Sequence, residues 1–165
     1  MKKIRSIVDS YLNYAFIIDL IMMTLIWTLN NFSLIEIKYL NRNNYIDILS
    51  NIIGAAVSLA GFILASLTII VAIRSNIANK NPEHAKNPLE LFFSVGTFKT
   101  IVKVFKISII ELIICFIVSY SIWLISENLS LEFINKTIVL LIYLMSLSTI
   151  RSLFVLFLLI DSENK

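Results

Sequence analysis

Residues 49–73 read LSNIIGAAVSLAGFILASLTIIVAI, a stretch without one charged side chain. About 20 apolar residues are enough for a helix to cross the hydrocarbon core of a bilayer, so this stretch predicts a transmembrane helix. Three further stretches, 11–30, 101–125 and 134–160, are also long and apolar enough to cross. The sequence therefore predicts an all-α integral membrane protein, a bundle of four transmembrane helices that forms one domain over residues 1–165.

The composition of the whole chain is also that of a membrane protein. Of its 165 residues, 58% are hydrophobic and 15% are charged, and the mean hydropathy is +0.87. Soluble domains are about half apolar and a quarter charged, so too few polar residues remain to cover a soluble fold. The single cysteine, Cys115, excludes an intramolecular disulfide. We therefore exclude a soluble enzyme, a disordered tail and a disulfide scaffold.

The distribution of positive charge predicts the orientation in the membrane. Cytoplasmic connections of membrane proteins are enriched in Lys and Arg. The first ten residues hold three such side chains and the loop 74–100 holds four, whereas the other connections hold Lys38 and Arg42, and Lys136 alone. We therefore expect both termini and the loop 74–100 on the cytoplasmic side of a cell inner membrane.

Small residues recur along one face of the predicted second helix. Their spacing alternates between four and three residues, and they are Gly54, Ser58, Gly61, Ala65, Thr68 and Ala72. Small side chains let helix backbones approach closely in lipid, and a period of about 3.5 residues predicts a left-handed crossing. Two interpretations remain open. The stripe packs inside the four-helix bundle, or it forms a self-association face or pore wall in a homo-oligomer.

Three charged residues lie deep within the predicted spans, at least eight residues from either end, and they are Asp19, Glu111 and Arg151. A charge at the bilayer centre costs about 2.5 to 3.5 kcal/mol on the insertion scale, so such residues face protein or water. With a rise of 1.5 Å per residue, all three lie roughly 12 to 14 Å above the cytoplasmic edge. We therefore expect a charge cluster, either a structural ion pair that fixes helix register or a gate on a conducting path.

Polar residues also share one face of the predicted third helix. They are Ser108, Glu111, Cys115 and Ser119. A polar face of this kind indicates a lined crevice inside the bundle.

Three lysines lie on one face where the central loop meets the third span: Lys99, Lys103 and Lys106. One interpretation is a helix that continues from Leu89, lies among the inner headgroups and binds anionic lipid. The other interpretation is that these lysines only mark the cytoplasmic end of the span.

The sequence contains no recognisable catalytic or cofactor motif. Its one histidine, His84, lies in the polar loop, and neither a metal-binding set nor a nucleophile–histidine–acid arrangement can be built around it. We expect no enzyme activity, cofactor or metal. Because the basic residues flank apolar spans rather than forming a stripe, we also expect no direct nucleic-acid binding.

The run AGFILASLTIIVAIRSN of the second span, followed by VFKISIIELIICFIVSY of the third, resembles the RexB-type phage-exclusion membrane proteins. The points of likeness are residues 65–68 with Arg74, and Glu111 with Cys115. The resemblance covers about residues 52–121 and implies a small four-span protein that forms an ion channel and depolarises the host membrane. The overall plan is also similar to the membrane subunits of other bacterial defence systems, such as the Kiwa membrane component, which implies a partner in the cytosol.

These observations predict a small bacterial membrane effector that oligomerises and perturbs ion permeability, in phage defence by abortive infection. An alternative is a sensor or anchor subunit that recruits a cytosolic partner through the loop 74–100. A third is a small transporter, although such proteins have internal repeats or broken helices that this sequence lacks.

Overall fold

The computed structural model describes residues 2–32, 42–77 and 97–163, and all regular structure in them is helical. The elements are α1 (Lys2–Asn31), α2 (Arg42–Ile77), α3 (Thr97–Ile125), a 3-10 turn (Ser126–Asn128) and α4 (Leu131–Glu163). The prediction of an all-α chain is therefore confirmed over the described residues.

Two of the four helices are long and apolar enough to cross a membrane. They are α2, over Asn44–Arg74, and α4, over Leu131–Phe157. A shorter apolar segment, Tyr14–Asn30, lies in α1. Length and composition thus make α2 and α4 the candidate membrane spans.

Heptad stripes of buried side chains hold α2, α3 and α4 together. The buried residues of α3 alternate at spacings of four and three, as in Ile101, Phe105, Ser108, Leu112, Cys115, Ser119 and Ile122. Those of α2 follow the same pattern over Tyr45, Leu49, Ile52 and Ala56, and continue with Ile63 and Ile70. This repeat is typical of left-handed packing of knobs into holes.

The helix α3 is the centre of the bundle, because it packs against each of the other three. Two apolar clusters lie along it. One includes Ile63, Leu112 and Val155, and the other includes Leu49 and Ile138. The buried polar residues of α3 lie along the face that joins the two clusters.

Short polar contacts fix the antiparallel register of α3 and α4. The Ser108 hydroxyl donates to the Ser148 carbonyl at 3.2 Å, and the Ser148 hydroxyl donates to the Ser108 carbonyl at 3.0 Å. Cys115 lies seven residues after Ser108 and Leu141 lies seven residues before Ser148, and the Cys115 thiol is 3.9 Å from the Leu141 carbonyl oxygen. At the turn, the Phe133 amide donates to the Ser130 hydroxyl, which caps α4.

The helix boundaries differ from the predicted ones in two places. The first helix begins at Lys2 rather than near residue 11, and its backbone leaves helical geometry at Tyr14, so a kink joins two helical segments. The predicted loop 74–100 is helical at both ends, because α2 continues to Ile77 and α3 begins at Thr97. The predicted helix start at Leu89 lies outside the described residues.

Candidate functional site: a buried charge cluster

The Arg151 guanidinium joins three helices at one point of the bundle. Its Nη1 donates to Asp19 Oδ2 of α1 at 2.7 Å, and its Nη2 donates to Glu111 Oε2 of α3. The same Nη2 lies 3.3 Å from the Ser108 hydroxyl. The structure therefore brings together the three charged residues that the sequence singled out, and we call them the charge cluster.

The charge cluster is shielded from bulk solvent. Asp19, Glu111 and Arg151 are at most 2% exposed. The planar guanidinium suits this position, because its fixed fork of donors can satisfy two carboxylates at once. If both carboxylates are ionised, the three side chains sum to a charge of −1. A change in the protonation or spacing of the cluster would thus act directly on three helices.

The helix α1 reaches the charge cluster through a narrow contact. Among its described side chains, only Ala15 and Asp19 are buried, and they lie one turn apart on the same face. The small Ala15 side chain lets the α1 backbone approach α3 and α4. At the other end of α1, Lys136 of α4 lies with its Nζ 5.5 Å from the Trp27 ring centroid. The docking of α1 therefore depends on few side chains.

Two atoms of the charge cluster have no hydrogen-bond partner within the described part of the chain. They are Arg151 Nε and Glu111 Oε1. Leaving a buried polar atom unpaired costs about 1 to 3 kcal/mol. One acceptor of Glu111 therefore stays unused, and it is the carboxylate oxygen that does not contact Arg151.

A line of polar residues continues along the buried face of α3 from the charge cluster. Glu111, Cys115 and Ser119 are fully buried at successive turns of α3, and Asn135 is buried near the start of α4. We call these four residues the polar track. The Ser119 hydroxyl and both polar atoms of the Asn135 amide have no partner in the described segments.

Asn135 is the member of the polar track that sequence reasoning missed. The signal was a polar amide inside the apolar stretch 134–160. The level of Asn135 relative to α3 is a property of the α3–α4 register, which the Ser108–Ser148 contacts fix.

All six small residues of α2 are exposed, and they are Gly54, Ser58, Gly61, Ala65, Thr68 and Ala72. Four of them, Gly54, Ser58, Ala65 and Ala72, lie two residues after a buried position of the α2 core repeat, about 200° around the helix from it. A Cβ atom added at Gly54 or Gly61 would meet no atom of another described element within 4 Å. Packing inside the bundle and self-association both stay predictions, and the exposure of the stripe favours self-association.

The three lysines at the start of α3 (Lys99, Lys103 and Lys106) are also exposed. Nearby, the Arg74 guanidinium carbon lies 3.9 Å from the centroid of the Phe98 ring, which joins the end of α2 to the start of α3. This end of the bundle is thus basic and aromatic, as a headgroup region requires. Residues 78–96 of the predicted docking loop, including His84, lie outside the described residues.

No group of three side chains in the described ranges could hold a metal ion. Comparison with protein-family models, with curated proteins and with solved structures finds no match for this chain.

Proposed function

We propose that this protein is a four-span protein of the bacterial inner membrane that self-associates and, once triggered, lets ions cross the membrane. The observation that carries the proposal is the charge cluster, which joins α1, α3 and α4 in a water-poor core. Charges inside a membrane bundle most often belong to ion or substrate paths. A cluster held by two ion pairs is suited to keep such a path closed at rest.

The outer surfaces of α1 and α3 support four spans instead of two. Large apolar side chains of α1 are exposed, including Phe16, Ile17, Leu20, Ile21 and Leu25. Those of α3 are exposed as well, including Ile110, Ile113, Ile117 and Leu124. A contiguous apolar surface on two more helices would be costly in water and is what a bilayer solvates.

The energetics of the charge cluster support its role as a gate. Removing one partner of a buried ion pair costs about 3 to 5 kcal/mol because the other charge stays buried without compensation, so the resting bundle keeps its pairs. Among the side chains of α1 that the structure describes, only Ala15 and Asp19 are buried, and a displacement of α1 would separate Asp19 from Arg151. A trigger that moves α1 or neutralises a carboxylate would therefore loosen the bundle at this level.

The exposed stripe of α2 supports self-association. From residue 54 to residue 72 it extends about 27 Å, close to the hydrocarbon thickness of about 30 Å. A second copy of α2 could thus pack along the whole span, with backbone-to-backbone approach at Gly54 and Gly61. The role in phage defence rests on the sequence resemblance over residues 52–121 alone.

The first test is the membrane potential of cells, reported by a dye after controlled expression. We expect the wild type to depolarise the membrane, Glu111→Gln to depolarise it more strongly because a neutral side chain holds Arg151 less tightly, and Gly61→Leu to lose the effect. Glu132→Gln is the matched control, because Glu132 carries the same charge on an exposed side chain of α4. All variants must reach the membrane in equal amounts.

Two results would count against the gate. Depolarisation equal to that of the wild type in both Glu111→Gln and Arg151→Ala would show that the charge cluster does not control permeability. No depolarisation by a well-inserted wild type, with capture of a cytosolic protein that depends on the loop 74–100, would favour the anchor function instead.

A further inference from the structure

Three of the four residues of the polar track have hydrogen-bonding atoms without a partner in the described part of the chain. They are Glu111 Oε1, the Ser119 hydroxyl and the two polar atoms of the Asn135 amide. All belong to residues that are at most 1% exposed. Burying a polar group without a partner is destabilising, and a protein of marginal stability tolerates few such groups. Such atoms in folded proteins are as a rule satisfied by bound water.

The register of α3 and α4 sets the level of these residues along the bundle axis. Ser108 faces Ser148 and Cys115 faces Leu141, so the two helices run antiparallel without a shift between the contacts. When the same register continues to the α3–α4 turn, Ser119 and Asn135 lie about 3 Å apart along the bundle axis. The side chain of Asn135 is therefore at the right level to extend the polar line of α3.

The two ends of the polar track differ. One end is Glu111 Oε1, the free oxygen of a carboxylate that is paired with Arg151 through its other oxygen. The other end is Asn135, which lies four residues after the start of α4, about 6 Å from the helix terminus. The track thus runs from the charge cluster toward the α3–α4 turn, on the predicted outer side of the membrane.

We propose that a file of water molecules binds along the polar track and carries protons between the outer side of the membrane and Glu111. This deepens the proposed function and rests on it, because it names the proton as the species that reaches the gate. From Glu111 to Ser119 the distance along α3 is about 12 Å, which roughly four hydrogen-bonded waters would span.

The proton step balances within the track. Each water or hydroxyl accepts one proton and passes another on, and Glu111 Oε1 accepts the last one, so only the carboxylate changes its charge. The charged groups that face Glu111 are Arg151 of α4 and Asp19 of α1. The helix α2 has no charged side chain between Asp47 and Arg74. A neutral Glu111 would hold Arg151 less tightly, and the gate would respond to protons from outside.

The single cysteine is a native reporter inside the polar track. Cys115 lies one turn from both Glu111 and Ser119, and it is fully buried. The S–H stretch of a thiol occurs in an empty region of the infrared spectrum and shifts on deuteration. The rate of S–H to S–D exchange after transfer of proteoliposomes to D2O therefore reports water at Cys115 without any ion flow.

The experiment compares the wild type with Ser119→Ala and Asn135→Leu in proteoliposomes. We expect the Cys115 thiol of the wild type to exchange, and Asn135→Leu to slow the exchange by a factor of about ten or more, since it removes two hydrogen-bonding groups from the track. Ser119→Ala should slow it less. The matched controls are Ser121→Ala on α3 and Asn51→Leu on α2, which change exposed side chains and should leave the rate unaltered.

Proton entry, measured with a pH dye inside the same vesicles, separates this inference from the proposed function. Slow exchange and reduced proton entry in Asn135→Leu would support the water file. A wild-type thiol that does not exchange, or equal rates in wild type and Asn135→Leu, would overturn it. Slowed exchange with unchanged proton entry would overturn the proton route. If the Asn135→Leu variant still dissipates the membrane potential, the proposed function stands and its ion path lies elsewhere.

Discussion

The buried face of α3 and the exposed stripe of α2 carry the two sequence patterns that set this chain apart, and they have opposite positions in the fold. Ser108 and Glu111 of α3 meet partners from other helices of the same chain. A Cβ atom added at Gly54 or Gly61 of α2 would meet no atom of another described element within 4 Å. The first face makes its contacts within one chain, while the second has room for a partner at these glycines. The difference arises from phase, because α3 places its polar residues on its core repeat and α2 places its small residues opposite its own.

The largest expected effect concerns the charge cluster, at Arg151. Arg151→Ala leaves Asp19 and Glu111 buried without their common partner, and we expect it to lower the free energy of unfolding by about 3 to 5 kcal/mol. Arg74→Ala is the control, since Arg74 is only partly buried and its ring contact is worth about 0.5 to 1 kcal/mol. Unfolding in mixed micelles, followed by the fluorescence of Trp27 and Trp123, measures both.

A further variant separates the structural role of the charge cluster from gating. Asp19→Leu, Glu111→Leu and Arg151→Met combined remove all three charges, and buried ion clusters replaced in this way often regain stability. We expect this variant to fold, and the membrane potential of cells that express it should no longer respond to the trigger. If the charge-free protein still conducts as the wild type does, the cluster holds the helices together and has no part in the gate.

The second-largest expected effect concerns the exposed stripe of α2, which was compared above with the buried face of α3. Ser58→Leu adds a large side chain at an exposed position opposite the core face of α2, so the stability of one chain should not change. Self-association should weaken by a factor of about ten or more, because the larger side chain keeps the helix backbones apart. Energy transfer between labelled copies in vesicles, diluted with lipid, gives the dissociation constant.

Ser146→Leu is the matched control for Ser58→Leu, because it makes the same change at an exposed position of α4. We expect it to leave the association of copies unchanged. An equal loss of association in both variants would mean that α2 is not the contact face. A loss of stability in Ser58→Leu alone would mean that the stripe packs within the chain after all.

The sequence predicted the helices and the charge cluster, but it left open whether the stripe of α2 faces the bundle interior or the outside. The reason is physical. Charges must face protein or water in a membrane, so Asp19, Glu111 and Arg151 point to the interior wherever they occur. Lipid is as apolar as a protein core, so an uncharged helix such as α2 has no hydrophobic face that distinguishes inside from outside. Its phase depends on partners that are distant in the sequence, and the burial of Asn135 depends on the register of α3 and α4 in the same way.

The smallest expected effect is the loss of the Ser148 hydrogen bond, which tests how tightly the α3–α4 face is closed. The Ser148 hydroxyl donates to the backbone carbonyl of Ser108, so Ser148→Ala should lower the free energy of unfolding by about 0.6 kcal/mol, as is typical of polar contacts between membrane helices. Unfolding in mixed micelles is the measurement. Ser146→Ala is the matched control, because its hydroxyl is exposed and bonds within its own helix, so its removal should change the stability less. An equal stability of the wild type and Ser148→Ala would mean that the register is held by apolar packing alone, and the level of Asn135 would then lack its polar restraint.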